Sequence, residues 1–192
     1  YQSPQSAGQP PVDESATLSE KDSARTFERK VDTLESNKLK INYDVTTGEI
    51  LFSELKEYSK ELGSNDNIVI LDYENRKYTA ASSIQIAKTS NQPIFIKKSS
   101  DGQNKVTLAS TNIPGIQITK TIELLNDTHQ VTVTNVVENL KESPIKARNY
   151  ETISRDNNST ASVMLPTYTG SAFYDEENKF SKLTFDEIFD NE

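Results

Sequence analysis

The 192-residue sequence contains no cysteine and a single histidine, His129. Without cysteine the chain cannot form a disulfide, a thiolate nucleophile or a zinc finger. His129 stands beside a predicted hairpin turn and has no second histidine or cysteine with which to share a transition metal ion. We therefore interpret it as a solvent-exposed residue at the end of a strand, and we expect neither a metal nor a cofactor.

The motifs of several enzyme classes are also absent. The sequence has no glycine-rich phosphate loop, no Gly-x-Ser-x-Gly elbow and no His-Glu-x-x-His run. Residues 175–178 (DEEN) lack the spacing of a calcium-binding loop, so we interpret them as a solvated turn. We predict no catalytic residue. A pair of carboxylates for glycoside hydrolysis is left as an alternative, because such pairs are defined by their distance in space and not by their spacing in the sequence.

Long hydrophobic runs and excess positive charge are missing too. No apolar run approaches the roughly 20 residues that cross a bilayer, and no signal peptide is present. The net charge of −8 argues against non-specific binding to nucleic acid. The last 18 residues hold seven acidic residues against two lysines. An anionic lipid surface would repel this end, so we expect any membrane association to come from a covalent tether.

The first 29 residues lack the apolar side chains that a folded core requires. They contain Pro4, Pro10 and Pro11 and many serines and glutamines, with almost no large apolar residue before Phe27. Such a composition cannot offset the entropy lost on ordering. We predict a flexible, disordered linker over residues 1–29 and one folded domain over residues 30–192.

What is present in the folded part is a series of short strand patterns. Leu39, Ile41 and Tyr43 alternate with polar residues, which predicts a half-buried strand, and the turn residues 44–48 predict a hairpin into residues 49–52. Further strands are predicted at residues 67–73, 77–87, 93–97, 105–109 and 145–154, with a turn at residues 99–102. Short strands without long intervening helices indicate an antiparallel all-β protein.

Two segments carry the strongest and the weakest of these patterns. Residues 115–125 and 128–138 alternate strictly and are joined by Asn126-Asp127, which predicts a long antiparallel hairpin with one buried face. In residues 53–62, by contrast, the spacing of Leu55, Tyr58 and Leu62 predicts a short helix that ends at Gly63. An irregular connection is the alternative there.

Residues 164–188 form the most distinctive run in the chain. Five of the 15 aromatic residues lie within 18 positions, namely Tyr168, Phe173, Tyr174, Phe180 and Phe185. Large aromatic side chains dominate core energetics, so we expect this segment to bury a large apolar area and to bind two sheets together. A binding groove is the alternative. Gly170 is expected to serve a turn or a close approach.

The same run carries a family resemblance. Residues 165–174 (LPTYTGSAFY), followed by the acidic turn and residues 179–192, resemble the large periplasmic domain of YidC, the bacterial membrane protein insertase family. Residues 31–62 resemble the opening strands of that domain, and residues 118–133 resemble its middle. Two departures stand out: Thr47-Gly48 occupies a place where family members often have two glycines, and residues 68–110 form a shorter region.

The resemblance implies an antiparallel two-sheet β-supersandwich of the mutarotase-like kind. It implies a non-catalytic periplasmic domain that assists insertion and folding of inner-membrane proteins, with and without the Sec translocon. The partners would be Sec components and nascent membrane proteins, and no nucleic acid. The domain would be tethered to the bacterial inner membrane by a transmembrane helix before residue 1, with its C-terminal part lying beyond residue 192.

Two other classes of function are kept as alternatives. A carbohydrate-binding or carbohydrate-active β-sandwich would share the same strand pattern, although mutarotase chemistry uses acid and base side chains of the His and Glu type. Since His129 is the only histidine, we expect that activity to be absent. A structural spacer with no ligand is the third interpretation.

Overall fold

The computed structural model describes residues 29–87, 89, 91–156, 168, 170–177 and 179–190. The predicted linker, apart from Arg29, lies outside the described residues. So do residues 157–167, which include the start of the run that carries the family resemblance. The predictions made for these positions are neither confirmed nor contradicted.

The described part of the chain is almost entirely β-structure. The strands are β1 Val31–Glu35, β2 Leu39–Asp44, β3 Ile50–Ser59, β4 Asn67–Asp72, β5 Thr79–Ile86, β6 Phe95–Asp101, β7 Lys105–Ser110, β8 Ile116–Leu124, β9 Val131–Asn139, β10 Ala147–Ser154, β11 Gly170–Asp175 and β12 Lys179–Thr184. Two short helices are α1 Tyr73–Arg76 and α2 Phe185–Phe189.

These strands form two main sheets in which the described pairs are antiparallel. The larger sheet has the order β1-β2-β3-β5-β10, with β4 also paired to β3, and the smaller sheet has the order β6-β7-β8-β9. Strands β11 and β12 pair only with each other among the described strands. The predicted antiparallel two-sheet architecture is confirmed.

The core lies between the two main sheets. Every second residue of β8 is buried, and Ile118, Ile122 and Leu124 are fully inaccessible to solvent. The larger sheet contributes Ile41 and Tyr43 to the same cluster. Burial of each aliphatic side chain of this size stabilises the fold by about 1.5–3 kcal/mol. The alternating pattern therefore determines which face of each sheet turns inward.

The two predicted hairpins are confirmed, with a difference in one of the turns. Strands β2 and β3 are joined through residues 45–49, where the Asp44 carboxylate accepts a hydrogen bond from Thr46 N–H at 2.7 Å and Gly48 has φ +70°. Strands β8 and β9 pair along their length, beginning with Leu124↔Val131 next to the turn. Their connection is the six-residue loop 125–130, longer than the predicted two-residue turn, with Asp127 at φ +61°.

The predicted helix at residues 53–62 is wrong, and so is the alternative of an irregular connection. Strand β3 continues to Ser59, because it pairs with β2 along one edge and with β4 along the other. Backbone pairing on both edges outweighs a weak local helical preference. Leu62, one of the three residues whose spacing predicted the helix, is fully exposed. Likewise β6 runs through Asp101, and its turn begins at Gly102 (φ +62°).

The prediction that the aromatic run binds two sheets together is also wrong for its described residues. Phe173, Tyr174 and Phe180 are 43%, 67% and 63% exposed on the separate β11–β12 hairpin. Glu176 and Glu177 form the expected exposed turn. The expectation for Gly170 is confirmed, because a Cβ at this position would collide with the Leu183 carbonyl and lie 2.8 Å from Thr184 Cα.

Candidate functional site

A cleft between the main sheets offers an apolar space suited to a ligand. The larger sheet supplies one wall from β2, β3, β4, β5 and β10, and β9 supplies the other. Its volume is about 370 Å³, within the range of sites that bind small molecules or side chains. We call this space the inter-sheet cleft.

Aliphatic side chains make up most of the walls of the inter-sheet cleft. They include Leu39, Ile41, Ile50, Ile70, Val131, Val133 and Ile153. Ile41 and Ile50 are buried at the bottom, whereas Ile70 and Ile153 are 48% and 73% exposed at the rim. The rim thus exposes apolar side chains beside the cleft, and exposed apolar patches often mark sites of interaction.

One end of the cleft is polar, because two facing pairs of strands place polar residues at inward positions. Lys120 of β8 lies opposite Asn135 of β9, and Ser82 of β5 lies opposite Glu151 of β10. We call these four residues, together with Asn149, the polar row. Ser82 and Glu151 also line the inter-sheet cleft, so the row is continuous with the apolar walls.

Lys120 is the deepest member of the polar row, with 1% of its surface exposed. Its Nζ donates hydrogen bonds to Ser82 O at 2.7 Å and to Thr47 O at 3.0 Å, and it lies 4.9 Å from the centre of the Phe95 ring. Burial lowers the pKa of Lys120 to about 8, while the charges of Glu151 and Glu49 act in the opposite direction. The ammonium therefore joins the two sheets through backbone carbonyls.

The β2–β3 turn is shaped around this lysine. Gly48 has a positive φ, and a Cβ at this position would come within 2.6 Å of Lys120 Cδ. Lys120 also lines a second cavity of about 200 Å³, to whose walls Glu49, Gln92 and Phe95 contribute. The single glycine at position 48 thus provides the close approach that the buried side chain requires.

The other members of the polar row are connected by short hydrogen bonds. Asn135 Nδ2 donates to Ser82 Oγ at 2.8 Å and to Asn149 Oδ1 at 3.2 Å. Ser82 Oγ and Asn149 Nδ2 both donate to Glu151 Oε1 at 2.8 Å. Among the described residues, Asn135 Oδ1 is a buried side-chain atom without a hydrogen-bond partner. An unsatisfied acceptor of this kind calls for an explanation in a native fold.

His129 lies at the rim of the inter-sheet cleft and is exposed, as its position beside a turn predicted. Its ring centre is 5.5 Å from that of Tyr58. Within the described ranges, no group of three or more histidines, cysteines and acidic residues could hold a metal ion. The sequence interpretation did not single out Lys120, Ser82, Asn135 or Glu151. The available signal was a lysine at position 120 and an asparagine at position 135 on otherwise apolar inward faces.

Sequence comparison agrees with this architecture. The sequence model of the YidC periplasmic domain matches residues 32–192, which is most of the chain and all of both main sheets except Val31. The chain belongs to the YidC periplasmic domain family. The resemblance stated from residues 165–192 and from the opening strands is thereby confirmed. Nothing in these comparisons supports the carbohydrate-binding alternative.

Full-length relatives carry the name membrane protein insertase YidC. The protein of Haemophilus ducreyi is 28% identical over 171 residues, covering 83% of this chain and 32% of the relative. The proteins of Aliivibrio salmonicida and of a Marinomonas species are 27% and 26% identical, covering 84% and 78% of this chain and 32% and 30% of the relatives. The chain therefore spans about a third of the length of these insertases.

Within the described part of the chain, no helix has the length and apolar character that crossing a membrane requires. The cleft and its polar row lie wholly within the matched residues.

Proposed function

We propose that this chain is the periplasmic domain of a bacterial membrane protein insertase and assists insertion and folding of inner-membrane proteins. The observation that supports the proposal most directly is the family match over residues 32–192 together with relatives named membrane protein insertase. In this proposal residues 1–29 are a flexible linker from a membrane anchor. Residues 30–192 form the β-sandwich on the periplasmic side of the inner membrane.

The domain binds rather than catalyses in this proposal. Burial lowers the pKa of Lys120 to about 8, but two of its ammonium protons are directed to backbone carbonyls and the side chain is buried. A nucleophile or general base must be able to reach a reacting atom. The polar row thus supports hydrogen bonding to a ligand better than it supports a chemical step.

The partners of the domain are nascent membrane proteins and components of the Sec translocon. The apolar walls and exposed rim of the inter-sheet cleft are suited to segments that are rich in aliphatic side chains. A membrane protein offers such segments before it is fully inserted. The cleft would hold one of them while the rest of the protein is transferred.

The proposal is tested in cells that depend on the full-length protein. Residues 30–192 are deleted while the linker and all flanking segments are kept, and insertion of a reporter membrane protein and co-purification of Sec components are measured. We expect slower insertion and reduced recovery of Sec components. A matched control carries Phe180→Ser on the exposed hairpin and should behave as the wild type. Equal insertion and equal recovery after the deletion would contradict the proposal.

A further inference from the structure

The second cavity beside Lys120 is separate from the inter-sheet cleft. Among the described residues that line these two spaces, Ala81 alone borders both. The volume of the second cavity is about 200 Å³, below the ~300–1,000 Å³ of sites that hold drug-sized ligands. A ligand of this cavity must therefore be a small molecule rather than a segment of polypeptide chain.

The inner walls of the second cavity are mainly apolar. Phe95 and Ile84 are buried there, and Pro93 adds a third apolar surface. Thr47 and Gln92 also border the cavity, but both of these residues are exposed. They therefore mark the side on which the cavity meets solvent. A molecule that enters between them brings its apolar part against the Phe95 ring.

The ammonium of Lys120 borders the same cavity and has no carboxylate at contact distance. Within the described ranges, ion pairs are formed by Arg29 and by other lysines, but not by Lys120. Two of its three protons are donated to the carbonyls of Ser82 and Thr47, which leaves one donor for a ligand. Because a buried charge without a counter-ion is costly, an anionic group in the cavity would stabilise the ammonium.

Glu49 is the carboxylate in the cavity wall, and both of its oxygens already have partners. Oε1 accepts a hydrogen bond from Thr79 Oγ1 at 2.6 Å, and Oε2 accepts one from Arg29 Nη1 at 3.2 Å. Arg29 and Lys120 thus supply two positive charges against the one negative charge of Glu49. Glu151, the other carboxylate that acts on Lys120, lines the inter-sheet cleft instead. The local charge balance therefore favours an anion.

We propose that the second cavity binds a small monocarboxylic acid with an apolar tail. The carboxylate of the ligand accepts the remaining proton of the Lys120 ammonium, and the tail packs against Phe95, Ile84 and Pro93. This is a ligand-binding function beyond assistance to membrane protein insertion. Its test measures binding to the isolated chain, so it can fail or succeed independently of the insertion test.

The test is a titration of the whole 192-residue chain, with isotope-labelled isoleucine methyl groups, followed by nuclear magnetic resonance. The probe is sodium butyrate, and its matched partner is butyramide, which has a similar shape but no charge. We expect butyrate to shift the methyl signals of Ile84 to saturation and to leave those of Ile153, in the inter-sheet cleft, unchanged. Butyramide should bind about tenfold more weakly, because it lacks the charge-assisted hydrogen bond.

Two further arms assign the binding to Lys120. Since the pKa of Lys120 is about 8 and butyrate stays ionised, the affinity for butyrate should fall about tenfold between pH 7 and pH 9. Lys120→Met should abolish the saturable shift of Ile84. Lys105→Met is the matched control, because it removes the same charge from a lysine that pairs with Glu123 on the outward face of the smaller sheet. If Lys120→Met does not fold, the pH series on the wild type still decides the matter.

Several outcomes would overturn the inference. It fails if butyramide binds as tightly as butyrate, if the affinity for butyrate is the same at pH 7 and pH 9, or if the two methionine variants bind alike. It also fails if Ile153 responds instead of Ile84, which would place the acid in the inter-sheet cleft. Shifts that grow linearly without saturation would reflect a general solvent effect and would likewise exclude a site.

Discussion

The two main sheets and the β11–β12 hairpin differ in how well the aromatic content of a strand predicts the burial of its side chains. The β8 strand has no aromatic residue, yet Ile118, Ile122 and Leu124 are completely buried by strict alternation. The hairpin is rich in aromatic residues, yet Phe180 and Tyr174, which face each other across its two strands, are mostly exposed. Periodicity, rather than apolar content, determines which residues form the core of this protein.

The reason is geometrical. An alternating strand within a four-stranded sheet has neighbours on both edges and a second sheet opposite its inward face, so every second side chain is enclosed. The hairpin has one partner strand for each strand among the described residues. Its aromatic side chains therefore have fewer surfaces against which to pack. Phe185 of α2, which follows the hairpin, lies under the guanidinium of Arg155 at 4.9 Å and is half-buried.

The largest expected effect comes from a change inside the alternating core. Ile122→Ala should lower the free energy of unfolding by about 2–5 kcal/mol, because it removes buried methyl groups and leaves a cavity between the sheets. Urea denaturation followed by circular dichroism measures the loss. A loss below about 1 kcal/mol would mean that Ile122 does not lie in a close-packed core, and the contrast with the hairpin would no longer hold.

How far the fold follows from the sequence can be judged from the same two regions. The β8–β9 hairpin, the β2–β3 hairpin and the antiparallel architecture are predictable because their alternation spans many residues. The extent of β3 is not, because Leu55 and Tyr58 fit helical spacing and only the pairing with β2 and β4 decides the matter. The exposure of Phe173 and Phe180 depends on the number of neighbouring strands, which a local pattern does not contain.

The candidate site was less predictable than the fold. Lys120 and Asn135 stand at inward positions of the two best-predicted strands, so their polarity in an apolar register was visible in the sequence. Their partners were not, because Ser82 and Glu151 come from strands β5 and β10, which lie in the other sheet. Two inward side chains from different sheets meet only if the registers of several strand pairs are all known, and the sequence does not give these registers.

Lys120 is the most deeply buried charged side chain among the described residues. Because the folded-state pKa of Lys120 is lowered to about 8 from the usual 10.5, the unfolded chain binds more protons between these two pH values. The free energy of unfolding should therefore rise with pH across this window, by about 3 kcal/mol, and that increment should be lost again as the pH falls from about 10.5 to about 8.

Comparison with Lys120→Met isolates this contribution. The variant has no ammonium to desolvate, so the difference in unfolding free energy between wild type and variant should increase from pH 8 to 10.5 in favour of the wild type. Urea denaturation at a series of pH values measures it. A difference that stays constant across the window would show that Lys120 is not desolvated in the folded protein.

Two glycines with a left-handed backbone conformation differ in what surrounds them. Gly48 and Gly63 have φ of +70° and +81°, but a Cβ at Gly48 would collide with Lys120, whereas nothing lies within 4 Å of one at Gly63. Gly63→Ala should cost about 1 kcal/mol from backbone strain alone, and Gly48→Ala about 2–3 kcal/mol. Thermal and urea denaturation of the pair measure the difference. Equal losses would mean that the β2–β3 turn is not packed on the lysine.

The smallest loss of stability is expected for a substitution on the β11–β12 hairpin. Phe180→Ala removes a larger side chain than Ile122→Ala does, but Phe180 is 63% exposed and its ring faces Tyr174 and the ammonium of Lys182 rather than a second sheet. Little of its apolar surface is withdrawn from water in the folded chain, so the loss should stay below about 1 kcal/mol. Urea denaturation under the conditions used for Ile122→Ala gives the comparison. If Phe180→Ala is as destabilising as Ile122→Ala, the hairpin packs against the sandwich in solution, and aromatic content rather than alternation would then identify the core.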